Sequence, residues 1–164
     1  MAMESPRKLF VYQLGITYDS EVASSSLLDF LAMRVQNKGF AQILRDIEKD
    51  KRRQLDNVGT CLEAVGLTPL QSTSPAEQGL RQRFEAFTWM QPSPEVLDLF
   101  ALGVAVRSKH FSIIDYQELV NLAELLGEPR WAEPLRANLT TKRDSIARLE
   151  QCAAELRDRV FAKV

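Results

Sequence analysis

Seven side chains with charged, titratable or amide groups fall on or beside stripes where a helical chain would otherwise be apolar. Glu21 continues the stripe of the first helical stretch between Tyr18 and Ser25. Asp50 and Gln54, with Lys51 beside them, lie between Ile47 and Val58. His110 stands between Val106 and Ile113 with Lys109 next to it, and Lys142 stands between Leu139 and Ile146. Buried charge is costly unless it is paired, solvated or ligated, so ionisable groups in the middle of such stripes require a partner. Carboxylates on facing helices can hold two metal ions, with a Glu from each of two helices and a Glu-x-x-His pair from each of the others. Glu21, Asp50, Gln54 and His110 are the candidate ligands for iron or another divalent metal. The set is short of carboxylates, and lysine is a poor ligand because its protonated amine repels a cation. No resident cofactor is therefore expected. Lys109 and Lys142 are the candidate charge substitutes, one or both pairing with Glu21 or Asp50 where the cations would sit. The plainer alternatives are a solvated helix face for Asp50 and Lys51, a surface place for His110 and ordinary exposure for both lysines.

The elements that must position these groups are helical. From Leu9, apolar or small residues recur at Leu14, Tyr18, Ser25, Leu28, Ala32 and Val35, the spacing of one helix face. Asn37 and Gly39 supply stop chemistry, and a second helix carries Phe40, Ile43, Leu44, Ile47, Val58, Leu62 and Val65 before Gly66. The stretch from Leu70 to Pro94 holds a turn and a shorter amphipathic helix, Ala76 to Met90. A third long helix begins near Pro94, carries Leu99, Val106, Ile113, Tyr116 and Val120, and ends at Gly127. The fourth begins around Arg130 to Pro134 and carries Leu135, Leu139, Ile146, Leu149, Ala153, Leu156 and Val160. Four long helices with one long connection describe an all-α bundle with a crossover, in a single domain over residues 1–164.

Composition narrows the function classes. The 164 residues carry a formal net charge of -1, which gives no reason to expect nucleic acid or an anionic membrane as partner. No apolar run approaches the roughly 18 residues that cross a bilayer, and residues 1–8 lack the apolar core of a secretory signal. Cys61 and Cys152 stand apart, and with His110 they are too few for a Cys/His zinc site. A cytoplasmic location is expected. Neither a nucleophile elbow nor a phosphate-cradling glycine loop appears.

The segment Arg107 to Gly127, RSKHFSIIDYQELVNLAELLG, resembles the third helix of the YciE/YciF group of ferritin-like proteins, the DUF892-type four-helix bundle. The match runs through Arg107, His110, Ile113, Tyr116, Leu122, Ala123, Leu126 and Gly127. Tyr18-Asp19-Ser20-Glu21 is similar to the family's opening, Asp50 to Gln54 with Leu62 and Gly66 to its second helix, and Leu139 to Leu149 to its last. The resemblance implies a ferritin-like bundle, in which the shorter helix read from Ala76 to Met90 is an extra one in the long connection between helices 2 and 3. For members with intact ligands it also implies a possible two-metal site. Departures fall at those ligands: Lys109 and Ser112 stand at glutamate positions, Thr141 and Lys142 at paired acids, and Ile146 at an aspartate. The reading that follows is a non-catalytic bundle acting through self-association, most simply a homodimer, or through a protein partner. Phe84, Phe87, Trp89 and Met90 are candidate contact residues, or else they close the core. A metal-dependent oxidase, peroxidase or iron store is the alternative, and a bundle with a ligand-lined polar pocket is the third. The resemblance further suggests a link to stress response.

Overall fold

The computed structural model describes residues 3–69 and 73–163. Six helices are present among them: α1 (Pro6–Ala32), α2 (Lys38–Asp46), α3 (Lys51–Ala64), α4 (Pro75–Thr88), α5 (Pro94–Leu125) and α6 (Pro129–Phe161). Proline occupies the first turn of α1, α4, α5 and α6, where its missing N–H costs nothing. Ser5, Asn37 and Ser93 accept from the amides of Lys8, Phe40 and Val96, satisfying donors that a helix start leaves unpaired. Gly66 and Gly127 take φ of 80° and 69° just past α3 and α5, the left-handed conformation that lets Leu67 and Glu128 donate back to Leu62 and Ala123. The all-α crossover bundle expected from the pattern is thus present, with α4 as the extra helix in the long connection.

The second helix differs from expectation. Instead of running unbroken from Phe40 to Val65, it divides into α2 and α3 at a tight turn over residues 47–50. There the amides of Glu48, Lys49 and Lys51 bond carbonyls three residues back, at 3.2, 3.2 and 3.1 Å. No glycine or proline marks this break. What the turn accomplishes is tertiary: it shifts the helical phase so that Glu48 faces the interior and Asp50 faces solvent.

Two apolar clusters fill the bundle. One gathers the C-terminal half of α1, α2, the start of α5 and the end of α6, with Leu28, Phe40, Phe84, Leu102 and Leu149 at its centre. The other gathers the start of α1, α3, the end of α5 and the start of α6, around Phe10, Val58, Tyr116, Trp131 and Leu135. This arrangement makes α3 and α5 run in the same direction, as a crossover bundle requires. The connection between them climbs the bundle through α4, which packs on α1 and α5.

Candidate functional site

Between the two apolar clusters lies a polar layer that every long helix crosses at the same level. On α1 the core stripe passes from Leu14 through Thr17, Ser20, Glu21, Ser24 and Ser25 to Leu28, all buried. On α5 it passes through Ser108, Lys109 and Ser112, and on α6 through Asn138, Lys142 and Ser145. The helical periodicity is uninterrupted; only the chemistry of the stripe changes.

Two ion pairs occupy the layer. The Lys142 ammonium donates to Glu21 Oε2 at 2.7 Å, with side chains 2% and 3% exposed. The Lys109 ammonium donates to Glu48 Oε1 at 2.9 Å, and the Ser25 hydroxyl donates to the other oxygen of Glu48. Around them, Ser24 and Ser108 share a hydrogen bond at 2.8 Å, and Ser108 donates to Glu77 Oε2 at 2.9 Å. Asn138 donates to the Gln54 carbonyl and the Tyr116 hydroxyl and accepts from Asn57. Thr17 Oγ1, Glu21 Oε1 and the Gln54 side-chain nitrogen are buried without a protein partner.

The predicted site residues divide. Glu21, Gln54, Lys109 and Lys142 lie in or beside the layer. Asp50 does not: it is a half-exposed residue at the start of α3, bridged to Arg53 at 3.3 Å, because the turn at residues 47–50 rotates it outward. His110 also points out, 49% exposed and 3.9 Å from Glu150, because its neighbours Lys109 and Ser112 hold the inward positions of α5. Glu48 takes the place expected for Asp50. Sequence reasoning missed Glu48, which on a continuous helix lies as far to one side of the stripe as Asp50 lies to the other, and missed Glu77, since it sits on the weakly patterned connector. Glu77 does fall three residues before Leu80 and seven before Phe84 on the buried face of α4, a spacing that marks it.

The electrostatics follow from pairing. Burial raises the Glu48 carboxyl, but Lys109, the Ser25 hydroxyl and the more distant Lys142 outweigh it and hold the group below the usual carboxylate range. Burial and the repulsion of Lys109 pull the Lys142 ammonium down, against the attraction of Glu21 and Glu48. Glu77, with a hydroxyl but no ammonium beside it, is pushed up by burial to about 7. Half-buried Asp115 rises to about 6 by desolvation and the nearby charge of Glu21. Tyr116 is held well above its ordinary value by burial and then by Glu21.

As a donor set the layer suits cations that the chain itself supplies. Among the described residues no three His, Cys, Asp or Glu side chains converge as metal ligands would. Glu21, which is buried, and Glu48, which is largely so, each already face an ammonium group.

The family model for a domain of unknown function, DUF892, matches residues 5–161. In the solved structures, the stress protein YciF of E. coli is similar over 95% of this chain and 99% of its own, at 22% identity and a TM-score of 0.86. YcfI of Rhodopseudomonas palustris is similar over 90% and 94%, at 21% identity and a TM-score of 0.83. A ferritin-like, diiron-carboxylate protein of Bacillus anthracis str. Ames is similar over 92% and 99%, at 13% identity and 0.73. No curated protein sequence matches the chain.

Proposed function

The chain belongs to the DUF892 family, and from that footing we propose that it is a non-catalytic ferritin-like bundle acting through self-association or contact with another protein. In this reading two internal lysine–glutamate pairs stand where a two-metal centre would otherwise hold the helices together. The observation that carries it is the pair of buried ammonium groups, Lys142 on the Glu21 carboxylate of α1 and Lys109 on the Glu48 carboxylate of the turn between α2 and α3. Two ammonium charges balance Glu21 and Glu48, and Glu77, pushed up to about 7 by burial, adds less than a full negative charge at neutral pH. A divalent cation placed among them would meet two resident positive charges, and the ligand shell would have to be built from groups already engaged. A di-iron carboxylate oxidase, peroxidase or store would need Asp50 and His110 at the centre, and both lie at the surface.

The test is metal removal. Exhaustive dialysis against a chelator leaves the melting temperature unchanged if the lysines close the layer. A drop of several degrees that ferrous iron restores would replace this reading with the di-iron one, because loss of a ligand that binds only the native state lowers apparent stability.

A further inference from the structure

Every buried carboxylate of the bundle but one has a charge or a pair of amides to meet it. Glu21 and Glu48 have the two lysines, and Asp98 accepts from the amides of Gln36 and Asn37 at 2.8 Å each. Glu77 is the exception. It is 3% exposed, its hydrogen-bond donor is the Ser108 hydroxyl at 2.9 Å, and among the described residues no lysine, arginine or histidine lies within ion-pairing distance. That hydroxyl is also shared with Ser24. A buried carboxyl served by one neutral hydroxyl keeps its proton, because ionisation would strand a charge in a poorly solvated place.

The groups facing Glu77 from both helices packed against α4 sharpen this. From α1 comes Glu21, and from α5 come Asp115 and Lys109. Two of the three are acids that oppose ionisation, and Lys109 is engaged by Glu48. The helix that carries Glu77 is anchored on two neighbours. It touches only α1 and α5, through Leu80, Phe84 and the Phe87–Phe100 stack, with ring centroids at 4.0 Å. Its buried Ser74 end meets Ser20 on α1 at the level of the polar layer.

We propose that α4 is a pH-sensitive cap on the polar layer, docked while the Glu77 carboxyl carries its proton and loosened when that proton is lost. Docking shifts the carboxyl from its ordinary 4.5 to about 7. The proton is thus bound more tightly in the docked state. Docking is strongest below the ordinary value, weakens as pH rises between the two values, and stays at its weaker level above the upper one.

Hydrogen exchange resolved along the chain, corrected for the intrinsic rate, tests this. Opening of residues 75–88 should rise by about tenfold or more between pH 5.5 and 8.5, while the middles of α5 and α6 keep their protection. Glu77→Gln, which keeps the Ser108 contact without a titrating proton, should remove the pH dependence of α4 alone. Carbon-13 detection of the Glu77 carboxyl in the unaltered protein is the second readout, and stands even if the variant folds poorly. A midpoint near neutrality supports the cap. An ordinary carboxylate midpoint, or pH dependence of α4 that survives Glu77→Gln, would overturn it.

Discussion

Lys142 and Glu21 lie on helices 121 residues apart in sequence and meet at 2.7 Å, nearly sealed from water. Desolvating two such charges is expensive, so the pair contributes mainly by preventing the worse state in which one charge is buried alone. Lys142→Met should therefore cost about 3–5 kcal/mol in urea unfolding, whereas adding Glu21→Leu should recover most of that loss. Additive losses would mean the two side chains act independently. Glu48 behaves differently, because its lowered carboxyl binds its proton less tightly folded than unfolded. Its contribution is full above the ordinary value of 4.5 and is lost as pH falls through the lower folded value. Glu48→Gln should thus reduce stability at neutral pH and flatten its decline in acid, which unfolding at pH 3 to 7 would reveal. At this scale Glu21 and Lys142 were legible in the sequence because a charge in an apolar stripe is visible by period alone, whereas the period put His110 in the stripe of α5 and Lys109 stood out only as a departure at a glutamate position of the resembled family. The partner of Lys109 was not legible, since a continuous helix places Glu48 and Asp50 equally far to either side of the apolar stripe and does not choose between them.

Elements owe their boundaries to local chemistry that the sequence displays openly. Pro94, Gly66 and Gly127 mark starts and stops that the chain then adopts, because proline suits a first turn and glycine the left-handed stop. The split of the second helix is of another kind. Nothing in residues 46–51 forbids a helix, and the turn is secured by contacts of Glu48 with α1 and α5 that no local pattern encodes. The opening of α2 shows the same long reach, for Asp98 on α5 accepts two backbone amides there. Asp98→Ala should cost about 2–3 kcal/mol, since it strips a charged acceptor from two N–H groups. Denaturant unfolding together with loss of exchange protection at residues 36–40 would locate the damage. An unchanged midpoint would show that water replaces the carboxylate without penalty.

Across the whole molecule, two apolar cores sandwich one charged layer, and the surface keeps several large apolar side chains. Of the four aromatic and sulfur-bearing residues expected at a contact face, Phe84 closes the core and Phe87 stacks on Phe100, while Trp89 and Met90 are 85% and 76% exposed. No helix among the described residues is long and apolar enough to cross a membrane. Self-association in solution predicts a light-scattering mass of about twice the 18.6 kDa chain, shifting toward the monomer in Trp89→Ser, Met90→Ser. A monomeric wild-type protein at micromolar concentration would remove self-association and leave a heterologous partner. The bundle was legible as a whole because four amphipathic stripes admit few other packings. Its internal charge balance was only half legible, since that depends on which faces meet.

The central claim, that lysines rather than metal ions close the polar layer, is tested most directly by metal content. The protein would be purified without chelator, incubated with ferrous iron in air, freed of unbound metal and analysed by mass spectrometry. The wild-type chain should hold no stoichiometric iron. Two irons per chain, abolished by Glu21→Ala, would contradict the claim and place a working metal centre where the two ion pairs now stand.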